Sequence, residues 1–122
     1  MPDRETIIAA ITTHCEALTA HDKAAWLEIW ADDVVLEDPA GVDFYRGKDA
    51  LATDFWALIE ALTPMRMTLM EDIIVCGREA VAIFAADLTF EGAPRRTAPI
   101  VDHFTFNDAG KITSMRAFWK YD

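Results

Sequence analysis

Two kinds of pattern divide the chain. In the first half apolar residues recur at helical spacing; in the second half they alternate. Ile7, Ile11, His14 and Leu18 fall within an arc of roughly 60° at about 100° per residue. That spacing predicts an amphipathic helix capped by Asp3 and running to about Ala20. Asp22 is suited to cap a second helix over "KAAWLEIWA", with Trp26, Ile29 and Trp30 as its apolar stripe and "ADD" as its end. A short strand, Val34 to Asp38, follows and closes at "PAG". A third helix is predicted from about Lys48 to Leu62, where Leu51, Phe55, Leu58 and Leu62 share a face and Pro64 stops the run.

The second half reads as strands. "MRMTLMEDIIVCG", "EAVAIFAADLTFEG", "RTAPIVDHFTFN" and "KITSMRAFWKY" are separated by turn signals at "CGRE", "EGAP" and "NDAG". Gly110 suits a left-handed position in the last of these turns. Helices followed by a strand meander predict an α+β fold, three N-terminal helices packed on one face of a mainly antiparallel sheet. If that sheet curves, the layers enclose a cone, a natural ligand pocket. No repeat or linker interrupts the 122 residues, so a single domain over 1–122 is expected.

Composition narrows the function classes. The chain has 21 acidic and 11 basic residues, a formal net charge of −10. Nucleic-acid surfaces need basic patches that release counterions, and anionic membranes attract basic segments; neither partner is expected here. No apolar run approaches the ~20 residues that span a bilayer, and "MPDRETIIAA" lacks the order of a signal peptide. Cys15 and Cys76 form no metal motif and are expected as reduced core thiols of a cytoplasmic protein. His14, His21 and His103 show no ligand spacing and no glycine-rich phosphate loop occurs, so neither metal nor cofactor is expected.

The informative polar groups are those on apolar faces. Ile100, Asp102, Phe104 and Phe106 share one side of their strand; Val101, His103 and Thr105 share the other. A buried Asp102 that stays neutral at pH 7 needs its pKa raised by more than three units from ~3.9, about 4 kcal/mol, which burial can supply. Both sides carry apolar residues, so a surface aspartate fits the pattern as well. Asp38 reads either as a turn-former ahead of Pro39 and Gly41 or as a carboxylate at a pocket rim, continuing the Val34 and Leu36 face. His14 reads either as a core histidine or as an inward-facing acid–base group. Together the three fit acid–base chemistry on an uncharged substrate. Val101, Met115 and Ala117 are expected on the outer sheet face, as part of a dimer contact.

"ADDVVLEDPAG", "YRGKDAL", "APIVDHFTFNDAGK" and "SMRAFW" together resemble the bacterial Δ5-3-ketosteroid isomerases of the NTF2-like (SnoaL-like) superfamily. The resemblance runs over nearly the whole chain and implies the α+β cone, no cofactor and a homodimer. Those isomerases are themselves the standard example of a carboxylic acid kept neutral in an apolar site. The resemblance implies that Asp38 is the general base, shuttling a proton between two carbons of an apolar, steroid-like ketone. It implies that protonated Asp102 donates a hydrogen bond to the enolate oxygen. Trp56 corresponds to an aromatic behind the oxyanion site and Trp119 to an apolar pocket wall, with Phe84, Leu88 and Phe104 as further substrate contacts. The family's tyrosine donor on the first helix falls at His14. A neutral imidazole there can donate an N–H; an imidazolium would draw the proton off Asp102. "APIVD" carries one residue more than the family pattern; a one-residue slip would turn Asp102 outward, and the family pattern resuming at "DHF" implies that the surplus is absorbed before Asp102. Three functions fit: a ketosteroid isomerase-like enzyme, a SnoaL-like cyclase or dehydratase acting on another apolar substrate, and a non-catalytic binding or dimerisation module.

Overall fold

The structure is a computed structural model that describes residues 1–121. Helix α1 (Arg4–Ala20) begins where the Asp3 carboxylate accepts the Thr6 backbone N–H at 2.8 Å, and ends at His21, whose φ of 57° is left-handed. Asp22 then caps α2 (Lys23–Leu27), accepting the Ala25 N–H at 3.1 Å. This helix is shorter than the spacing predicts. Trp30 already opens strand β1 (Trp30–Glu37), because the sheet captures the chain: the Ile112 N–H donates to Ile29 O at 2.9 Å and Lys111 Nζ donates to Glu28 O at 2.6 Å. Trp26, Ile29 and Trp30 are nevertheless all buried.

After β2 (Phe44–Arg46) comes one helical run. It opens as α3 (Lys48–Ala50), passes through a π turn (Leu51–Phe55) and closes as α4 (Trp56–Ala61). The extra residue of a π turn rotates everything after it. Burial accordingly passes from Leu51 and Phe55 to Trp56 and Ile59, while Leu58, expected on the core face, is 39% exposed.

The remaining strands are β3 (Arg66–Leu69), β4 (Ile74–Cys76), β5 (Glu79–Phe90), β6 (Ala93–Phe106) and β7 (Ile112–Phe118). The first predicted strand of this half is thus broken in two by a bend, and Cys76, at the end of its second piece, is exposed rather than in the core. The order across the sheet is β2-β1-β7-β6-β5-β3, with β4 also on β5; only β1 and β7 run parallel. A two-residue loop, Glu91 (φ 50°) and Gly92 (φ 80°), joins β5 to β6, as a type I′ hairpin requires. Gly110 has φ 78°, and a Cβ there would lie 2.9 Å from the Thr6 methyl of α1.

Asp102 faces inward because of a bulge. Phe84 pairs with Ile100 and Ala86 with Thr97, so Ala98 and Pro99 together oppose Ala85. The surplus residue of "APIVD" is taken up there. From Ile100 onward the alternation is undisturbed: Asp102, Phe104 and Phe106 are buried, and Val101, His103 and Thr105 are half-buried. The β6–β7 register places Ala117 opposite Asp102 and Met115 opposite Phe104. Both are therefore buried on the inner face, not the outer one expected for them; the outer partner of Val101 is Phe118. The helices cover the inner face of this curved, unclosed sheet, giving the α+β cone. Among the described residues no helix is long and apolar enough to cross a membrane.

Candidate active site

A cavity of about 540 Å³ opens between the helices and the inner sheet face. Its wall is mostly apolar, including Leu18, Leu62, Met65, Leu88, Ile100 and Met115. Three titratable side chains singled out from the sequence, His14, Asp38 and Asp102, line it together. Among the described residues no group of three His, Cys, Asp or Glu side chains is arranged to hold a metal ion.

Asp102 and His14 form the deep, dry end. Each is 2% exposed. Burial pushes the Asp102 carboxyl well above the usual carboxylate range, and its contact with His14 only partly opposes that. Asp102 Oδ1 is buried with no hydrogen-bond partner among the described residues. A buried oxygen without a partner is costly as an anion and far less so as part of a carboxylic acid.

The indole Nε1–H of Trp26 donates to His14 Nδ1 at 3.0 Å. An indole nitrogen can only donate, so Nδ1 carries no proton and His14 is the neutral Nε2–H tautomer. That leaves Nε2–H on the Asp102 side, 3.6 Å from Oδ2, slightly beyond hydrogen-bond length. Phe84, Phe104 and Trp30 stand edge-on around the imidazole, with centroids 5.9, 5.8 and 5.7 Å away. Of the two arrangements open from sequence, the Trp26 bond to Nδ1 is compatible with the neutral one.

Asp38 sits at the rim, where β1 runs into the 38–43 loop. Its backbone N–H donates to Asp43 O at 3.0 Å, and the Ala40 N–H ties the loop to Ala117 O of β7 at 2.7 Å. Trp119 Nε1–H donates to Asp38 Oδ1 at 2.7 Å. Burial pushes Asp38 up to about 7, against the Trp119 hydrogen bond, which favours the anion; Asp102 and Asp43 add to the push. An Asp102 that keeps its proton exerts less of it. The two carboxyls thus differ in kind: one enclosed, with one oxygen unpartnered, and one at the rim with a donor that stabilises its charge.

The five expected substrate contacts separate. Leu88 and Trp119 line the cavity, Trp119 with a polar role added to its apolar one. Phe84 and Phe104 are fully buried behind the wall, where they pack on His14. Trp56 is a shell further back, 5.4 Å from the Trp26 ring and 5.0 Å from His21, because the π turn carries it into the core. The aromatic that bonds His14 is therefore Trp26. Sequence periodicity had placed Trp26 on an apolar stripe, and nothing in a stripe reveals the direction of an N–H.

A model of the SnoaL-like domain matches residues 11–115. The chain belongs to the SnoaL-like family. It is 32% identical over 111 residues to a steroid Δ-isomerase of Nocardioides simplex, covering 91% of this chain and 87% of that protein. It is also similar to RV0760c of Mycobacterium tuberculosis in complex with estradiol-17β-hemisuccinate (29% identity, TM-score 0.83, 96% of this chain and 95% of that one). A third relative in fold is SalBIII, an epoxide hydrolase/cyclase-like enzyme of pyran ring formation in the polyether salinomycin (26% identity, TM-score 0.84, 98% and 95% coverage).

Proposed function

We propose that this SnoaL-like protein is an isomerase that moves a double bond into conjugation in an apolar ketone of the Δ5-3-ketosteroid type. The observation that carries the reading is the unpartnered, buried Asp102 Oδ1 beside a neutral His14 Nε2–H, in the same cavity as a rim carboxylate near neutrality. A ketone oxygen at the deep end would accept from both the Asp102 carboxylic acid and His14. Asp38 would take a proton from the carbon between the carbonyl and the double bond, and return it further along the conjugated system. Negative charge develops on the oxygen as the proton leaves, and donors already in position in a dry site stabilise that charge most. A base of pKa about 7 is matched to work near neutral pH. The names of two relatives, a steroid Δ-isomerase and a protein in complex with an estradiol ester, support the ligand class.

The test is the rise in conjugated-enone absorbance when a Δ5-3-ketosteroid is added. Asp38→Asn is expected to lower the rate by about 10²–10⁴-fold, and Asp102→Asn or His14→Ala by about 10²–10³-fold each. Wild-type protein that does no better than Asp38→Asn would remove the isomerase reading. The likeness to SalBIII would then favour a cyclase or dehydratase that uses His14 and Asp102 on another apolar substrate.

We further propose a homodimer through the outer sheet face, in a reducing, cytoplasmic setting suited to the exposed Cys76 thiol. Ile83, Val101 and Phe118 lie side by side across β5, β6 and β7 on that face, with exposed Ile74 and Phe44 at the two ends of the neighbouring row.

A further inference from the structure

On the proposed reading of the cavity, one side chain at its mouth extends the substrate class. Asp102, Ile100, Thr97 and Arg95 follow one another along β6 and all line the cavity, from its closed end to the exposed β5–β6 hairpin. Arg95 is the only cationic side chain on that wall among the described residues. It makes no hydrogen bond or ion pair with them, although its neighbour Arg96, on the other side of the strand, is held by both oxygens of Asp87 at 2.9 and 2.8 Å. The Arg95 guanidinium instead stands over the Phe90 ring, 5.2 Å from its centroid, within the ~6 Å reach of a cation–π contact. Phe90 also lines the cavity. A cation is thus supported at the entrance with its N–H donors uncommitted, in a chain whose net charge is −10. The acids on the wall lie elsewhere, Asp102 at the closed end and Asp38 and Asp43 on the 38–43 loop.

Seven residue steps along β6 lead from Arg95 to Asp102, about 23 Å of strand at roughly 3.3 Å per residue, less the one taken up by the Ala98–Pro99 bulge. That is longer than a four-ring carbon skeleton, and the guanidinium can reach back over part of the difference. We infer that the natural substrate is an apolar polycyclic ketone bearing an oxyacid group, carboxylate or sulfate, at the end opposite the ketone, and that Arg95 grips that group at the mouth. Guanidinium and oxyacid match in geometry and charge. The ligand would present an acceptor to the closed end, apolar rings to the middle and an anion to the entrance. Arg95 would then determine specificity and take no part in the proton transfer.

Calorimetric titration at pH 8 tests this with three 3-ketosteroids that share one ring system and end in a hydroxyl, a carboxylate-terminated chain or a sulfate. Wild-type protein is expected to bind at least one anionic ligand about three- to five-fold more tightly than the neutral one, less so at high salt. In Arg95→Met that preference should vanish while the neutral ligand binds as before. Whichever anion shows the larger loss identifies the oxyacid. An anionic-to-neutral affinity ratio that is the same in wild type and Arg95→Met would overturn the inference and leave the site reading intact. Failure of all three ligands to bind wild type would overturn the site reading, and this inference with it.

Discussion

Two indole N–H groups reach the titratable side chains of the cavity and have different effects. The Trp26 bond fixes where His14 carries its proton; the Trp119 bond stabilises the charged form of Asp38. The second effect has a defined sign. If Asp38 is the base, kcat/KM rises with pH as Asp38 loses its proton, with a midpoint near its pKa of about 7. Trp119→Phe removes a hydrogen bond that lowers that pKa, so the acid limb should move to higher pH, while the rate at the alkaline plateau falls much less than in Asp38→Asn. A pH–rate profile whose acid limb stays in place in Trp119→Phe would contradict this role. At this scale much was legible in the sequence. The helical arc that includes Ile7 and Leu18 brought His14 inward, and the alternation from Ile100 to Phe106 offered Asp102 an inward place. Pattern gave the faces, not the partners: neither indole bond follows from it, since each joins residues whose contact exists only once α1 meets α2, or β1 meets the end of the chain.

Among the elements, the departures from expectation have local physical causes. Helix α2 gives up Trp30 because the β7 edge offers its backbone a sheet partner. The π turn shifts α4 by part of a turn, which sends Trp56 into the core and Leu58 toward the cavity mouth. The bulge at Ala98 and Pro99 does the reverse service: it keeps Asp102 in phase. A π turn leaves no mark in a hydrophobic stripe, whereas the surplus residue of "APIVD" was visible as a count. The turn at Gly110 was legible too, and its packing adds a stability cost. Gly110→Ala puts a side chain at φ 78° and within 2.9 Å of the Thr6 methyl. Left-handed backbone alone costs an L-residue about 1–2 kcal/mol, so urea denaturation should show a loss of about 1–3 kcal/mol. A variant as stable as wild type would mean that α1 and this turn are not packed together as described.

For the whole molecule, the two sides of the sheet have separate uses. The inner side holds the cavity, and the outer side carries the Ile83, Val101 and Phe118 row proposed for dimerisation. Phe118 is 44% exposed on that outer side, paired with Val101. Phe118→Glu should convert a dimer into a monomer in sedimentation experiments without reaching the cavity wall, since Phe118 does not line it. A wild-type protein that sediments as a monomer at tens of micromolar, on the order of ordinary assay concentrations, would end the dimer proposal. The outer sheet face was misassigned from sequence in its β7 half because two apolar residues, Met115 and Ala117, have nothing in their chemistry to say which side of a twisted sheet they occupy; only the register with Asp102 and Phe104 decides it. The chemistry proposed for the inner side depends on one state above all: an Asp102 that keeps its proton while Asp38 is charged. Difference infrared spectroscopy of wild type against Asp102→Asn at pH 8, above the Asp38 value of about 7, measures it directly. A protonated-carboxyl stretch present in wild type and missing from Asp102→Asn is the predicted result; a difference spectrum containing only carboxylate bands would contradict it.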